Sequence, residues 1–154
     1  MADWLWVHVE AALAAHEEQL AEHGGAGGVR DPGMLESAMA RLLNLVAYGD
    51  PDAADLAASY AFGLARHHPF VDGNKRTAAV VSAIFLGLNG WELTCTESVL
   101  AATFYDLAAG KLTADELAAW FRRWTVRAAT AEESTAIVEQ IMEEDRNILR
   151  ELDD

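Results

Sequence analysis

The chain has 154 residues and a formal net charge of −14, from 11 Lys and Arg against 25 Asp and Glu, with a sequence pI near 4.6. That acid surplus excludes a nucleic-acid-coating surface and an anionic-membrane anchor, both of which need clustered positive charge, yet leaves room for a small basic pocket. Apolar residues at 52% against 23% charged describe a globular chain with a core of its own, and the single Cys95 excludes an internal disulfide or a Cys-rich zinc site, which fits a reducing compartment.

In chain order, residues 2–22 are predicted helical, with Trp4, Val7, Ala11, Leu13 and Leu20 near a 3.6-residue period. No basic leader precedes them, and Asp3 and Glu10 fall inside, so no targeting segment is expected. The run Gly24–Gly28 ends this helix as a turn. Pro32 and Gly33 open a second helix through Leu35, Met39, Leu42, Leu43 and Val46, broken at Gly49–Pro51. Pro51 is placed in the first turn of a third helix that reaches about Arg66. After a polar connector, His67–Gly73, comes a helix ending near Gly90 that is uncharged from Thr77 to Trp91 and should be the central, surrounded one. Its apolar run, Ala78–Leu88, is too short for a bilayer span, which needs about 20 residues.

Trp91–Cys95 is a short extended stretch, and helices over about 97–109 and 113–125 follow, the second opened by a capping box at Thr113 and Glu116. No strand long enough to build a sheet is evident. The expectation is an all-α, soluble, cytoplasmic protein: a helical domain over 1–125 and an acidic amphipathic helical tail over 126–154. The tail carries nine acidic side chains against three basic, and an apolar stripe of Ile137, Val138, Ile141, Met142, Ile148, Leu149 and Leu152. Such a stripe must lie against the domain or against another chain, a second copy included.

The chemistry concentrates in His68-Pro69-Phe70-Val71-Asp72-Gly73-Asn74-Lys75-Arg76-Thr77, at the entry to the buried helix. Each residue type suits phosphate. Gly73 lets backbone approach an anion, and the helix N-terminus offers free N–H groups. Lys75 and Arg76 supply cations and Asn74 a neutral donor. Asp72 is a natural ligand for Mg²⁺, which takes few protein carboxylates and completes its octahedron with phosphate and water. His68 titrates near neutrality and can take a proton from an attacking hydroxyl. Cations at a helix N-terminus oppose the dipole, a placement that makes sense beside an anionic client. His67 reads as a bystander. His8, His16 and His23 stand seven or eight apart with no i,i+4 pair, so no metal site is expected among them. Arg30 and Asp31 suggest an internal salt bridge or a ligand contact. The tryptophans read as core.

This segment resembles the signature of the Fic/Doc family, H-P-F-x-(D/E)-G-N-x-R, at every defined position from His68 to Arg76. Gly28–Asp31, Gly33–Ala38, Ala57–Gly63 and Leu117–Trp120 are similar to flanking segments of its death-on-curing (Doc) branch, so the likeness covers about residues 1–125. The resemblance implies a compact helical bundle around a central buried helix, and transfer of part of a nucleoside triphosphate to a protein hydroxyl. His68 becomes the general base, Asp72 the Mg²⁺ ligand, and Gly73, Asn74, Lys75 and Arg76 the phosphate-binding residues. Adenylylating Fic proteins usually carry a small residue where Lys75 stands and a second Arg where Ala79 stands. Lys75 with Ala79 matches Doc toxins, which turn the γ-phosphate of ATP towards the histidine and phosphorylate elongation factor Tu. The implied protein is a toxin paired with an antitoxin; the alternatives are AMP transfer or a catalytically silent binding module. Finally, Thr135-Ala136-Ile137-Val138-Glu139-Gln140 resembles the inhibitory helix of some Fic proteins (Ser or Thr, three residues, Glu, then Gly or Asn), with Gln140 departing at the last position and no second Arg for Glu139 to meet.

Overall fold

Among the described residues, 3–128 and 131–153 of a computed structural model, seven helices and one strand pair succeed each other: α1 (Val9–His23), α2 (Pro32–Tyr48), α3 (Ala53–Arg66), α4 (Asn74–Leu88), β1 (Trp91–Leu93), α5 (Glu97–Ala108), α6 (Ala114–Trp124), β2 (Thr125–Arg127) and α7 (Ala131–Asp153). The all-α expectation holds. Local chemistry sets most boundaries. Asp31 accepts from the Met34 N–H at 3.1 Å, with Pro32 at the first helical position. Asp52 and Asp55 form a reciprocal capping box on α3, and Thr113 and Glu116 form one on α6. Pro51 therefore lies before the α3 cap and not in its first turn.

Two further expectations are corrected. Residues 3–8 are not helical. Trp4 and Trp6 both lie against Phe85, at 6.0 and 6.1 Å between ring centroids, while Leu5 faces outward. Asn89 grips the Leu5 backbone, accepting from its N–H at 2.9 Å and donating to its carbonyl at 2.8 Å. The Tyr60 hydroxyl holds both backbone groups of Val7, each at 3.0 Å. Tertiary partners thus override a weak helical period with an extended one. Second, Thr125–Arg127 leaves α6 as a strand and pairs antiparallel with β1, Glu92 opposite Val126. The predicted boundary at residue 125 falls on the first residue of that strand.

The core is built on α3 and α4. In α3, 11 of 14 residues are buried, and many are Ala, so neighbouring helices approach closely. A Cβ on Gly63 would lie 2.7 Å from the Ala38 Cβ, which requires glycine at the α2–α3 crossing. The expected central helix, α4, lies among α1, α3, α5, β1 and α7. Phe85, Val81 and Leu86 are buried within it.

The tail helix α7 runs back over the domain against α4, α1 and β1. Ile137, Val138, Ile141 and Met142 are partly buried. Ile141 and Met142 face a groove lined by Ala11, Ala15, Val80 and Ile84. This part of the stripe is therefore covered in cis and is not open to a second copy while the helix is docked. The side chains of Ile148, Leu149 and Leu152 lie outside the described ones. No described helix is long and apolar enough to cross a membrane.

Candidate active site

The signature segment is a tight loop feeding the first turn of α4, and His68 sits at its crest in the left-handed region, φ +49°. It is the one non-glycine residue with positive φ among the described residues. Such a backbone costs about 1–3 kcal/mol and persists only where its surroundings impose it. Here the neighbouring segment 28–31 imposes it. The Arg30 guanidinium donates from Nε to the His68 carbonyl at 2.7 Å and from Nη2 to the His67 carbonyl at 2.9 Å. The Arg30 and Asp31 N–H groups both donate to the Pro69 carbonyl, and the Val71 N–H donates to the Gly28 carbonyl. Arg30 and Asp31 thus make neither an ion pair with each other nor an approach to the cavity: one clamps the loop, the other caps α2.

From beneath, Phe70 is fully buried and stacks flat on His16, 3.8 Å between centroids. His16 Nε2 lies 2.8 Å from the Asp72 carbonyl, an acceptor, so that nitrogen carries the proton. Asn74 is buried and accepts from the Phe70 N–H at 2.9 Å while donating to the Phe70 carbonyl at 3.0 Å. Its side-chain amide therefore braces the loop in this structure, and what it presents to the cavity is backbone. Gly73, at φ +76°, turns the chain into α4, and the Asp72 carboxylate accepts from the Gly73 N–H at 2.8 Å. The first intrahelical bond runs from Thr77 to Gly73, which leaves the N–H groups of Asn74, Lys75 and Arg76 without a partner in the helix. A Cβ on Gly25 would stand 2.8 Å from Asp72 Oδ2. The glycine run expected to be only a turn therefore also makes space for the acidic side chain.

His68, Asp72, Gly73, Asn74, Lys75 and Arg76 line one open cavity of about 360 Å³. His68, Asp72, Lys75 and Arg76 are exposed there. Burial, then the Arg30, Lys75 and Arg66 cations, hold the His68 imidazole below the usual histidine range, so it is neutral and able to accept a proton at pH 7. His67 is lowered too, by burial and by Arg41 and Arg66. Lys75 Nζ rests 5.6 Å from the Tyr105 ring centroid. The site joins a neutral base, one open carboxylate, two cations and free amides: a set suited to phosphoryl or nucleotidyl transfer to a hydroxyl.

A sequence model described as the Fic/DOC family matches residues 6–86, which includes the whole loop and its Arg30 and His16 supports. The chain belongs to the Fic/DOC family. It is similar to the protein kinase doc of Escherichia phage P1, 33% identical over 115 residues, covering 74% of this chain and 90% of the relative. It is also similar to the toxin Doc of Mycolicibacterium smegmatis, 45% identical over 74 residues, covering 46% of this chain and 55% of the relative. Among Fic/DOC proteins the likeness is thus to the Doc branch.

Arg76 also lines a second cavity, of about 350 Å³, between α4 and the tail. Ala79 stands on its wall, with Gln140 and Glu144 of α7. Glu139, the residue aligned with the inhibitory glutamate, is exposed and does not line it, and Thr135 is exposed. His16 and Gly25 are the supports that sequence reasoning missed. Each carries its signal in three dimensions alone, one as a stacking partner of Phe70, the other as an approach to Asp72.

Proposed function

We propose that the chain is a Doc-like toxin that transfers the γ-phosphate of ATP to a hydroxyl of a translation factor, elongation factor Tu, in the cytoplasm, and that a separate antitoxin protein restrains it. The observation that carries the reading is the complete His68–Arg76 signature around one cavity, with Lys75 on the first turn and Ala79 where AMP transfer would call for an arginine. The likeness to a relative named a protein kinase supports it.

The residues present fit Mg²⁺ and a triphosphate. Asp72 offers an exposed carboxylate in space that a Cβ on Gly25 would fill, and one carboxylate matches the sparse protein ligation of Mg²⁺. Lys75, Arg76 and the α4 amides would take phosphate oxygens. Bound Mg²⁺ and ATP would supply the transferable phosphoryl group and offset its charge. The chain's own part is positional and electrostatic. A ring nitrogen of neutral His68 accepts the proton of the incoming hydroxyl. Arg30 keeps that ring at the crest of the loop, while Lys75 and Arg76 hold negative charge as it moves onto the leaving oxygens.

The test is incubation of the purified protein with elongation factor Tu and ATP labelled at either the γ or the α position. Label from γ alone supports the kinase reading. Label from α identifies AMP transfer. No label under either condition, with ATP still binding, identifies a binding module.

A further inference from the structure

We propose that Glu22, His23 and Asp145 form a binding site for a divalent transition-metal ion of the zinc class, at the seam where the tail helix α7 meets the end of α1. One ligand atom from each residue lies within 4.8 Å of the other two. His23 Nε2 stands 3.6 Å from Asp145 Oδ1. That is too long for a good hydrogen bond, yet two ligands of a tetrahedral zinc with bonds of about 2.1 Å are separated by about 3.4 Å.

Glu22 Oε2 is buried and, without a shared proton, faces only the Asp145 carboxylate, a cost that a cation would remove. The other Asp145 oxygen accepts from Gln19 Nε2 at 2.9 Å, and Gln19 is only 3% exposed. A buried amide of this kind orients a ligating carboxylate. Two ionised carboxylates at a partly buried seam repel each other unless they share a proton; a dication in its place makes the group neutral. One nitrogen with two oxygens favours zinc and its neighbours over Mg²⁺ or Ca²⁺, which prefer oxygen alone. Two of the ligands sit on α1 and the third on α7, outside the residues matched by the family. The ion would therefore clamp the tail onto the domain, stabilising the docked form by mass action.

The site shares no residue with the phosphate cavity, so it stands or falls independently of the proposed activity. The full-length chain, stripped with EDTA and dialysed, is titrated calorimetrically with ZnCl₂ in excess Mg²⁺ and without nucleotide, so that Asp72 meets its hard ion. We expect one zinc per chain. His23→Gln and Glu22→Gln should each weaken binding by about tenfold or more. Co²⁺ should give visible absorption bands that both variants lose, and zinc should slow proteolysis of α7. Absence of saturable binding at about 100 μM zinc overturns the proposal, leaving at most a shared proton. Unchanged affinity in His23→Gln or in Glu22→Gln overturns it equally.

Discussion

Arg30 sets both the geometry and the charge of the candidate base, and replacing it separates the two. Its guanidinium makes two hydrogen bonds to successive carbonyls, His67 and His68, across a left-handed residue. Hydrogen bonds from a charged donor are worth about 1.5–3 kcal/mol each when sheltered, and less at this exposed position. Strain at φ +49° costs about 1–3 kcal/mol. Arg30→Ala removes a restraint of the same size as the strain it opposes, so the loop should relax and the productive His68 position should lose about 1.4–3 kcal/mol, a 10–150-fold fall in kcat/KM. After burial, Arg30 is the cation that most depresses the His68 pKa. Its loss should move the acid limb of kcat/KM to higher pH. Arg30→Lys keeps the charge without the planar fork, so activity should fall while the acid limb stays in place. The assay is a pH profile of phosphate transfer for the three proteins, with urea unfolding beside it. Wild-type turnover and an unmoved acid limb in Arg30→Ala would refute the reasoning.

His68→Ala should lower transfer by about 10²–10⁴-fold with nucleotide affinity retained, measured by calorimetry beside turnover. Asn74→Ala leaves the Phe70 N–H and carbonyl buried without partners, and should cost about 2–4 kcal/mol in urea-unfolding free energy; a loss under about 0.5 kcal/mol would remove the bracing role. His67 and His68 have folded pKa values below their unfolded ones, so the unfolded chain binds more protons: stability from this pair, present above about pH 6.5, should decline as pH falls below it, and thermal melts from pH 8 to 5 check the sign. Ending the chain at Ala128 keeps β2 and uncovers the α1–α4 groove. Dye binding to apolar surface should rise, and a rise in transfer rate as well would identify the docked tail as inhibitory.

The sequence by itself determined the helical class, the helix start at Pro32, the capping box at Thr113 and Glu116, and the place of the candidate site at His68–Arg76. These depend on neighbours a few residues apart: hydrogen bonds to the next turn, apolar spacing, and glycine where the chain must turn left. It also pointed to a tail too apolar for water. Tertiary structure decided what depends on distant partners. Val7 is extended because Tyr60 holds it, and Thr125–Arg127 is a strand because Trp91–Leu93 offers an edge. Asn74 matches the signature equally well whether it binds phosphate or braces Phe70, and only packing shows its amide turned inward. Spacing along α1 relates His16 and His23 only to each other. His16 meets the Asp72 carbonyl and His23 meets Asp145, contacts between residues far apart in the chain, and spacing along one helix cannot carry that information.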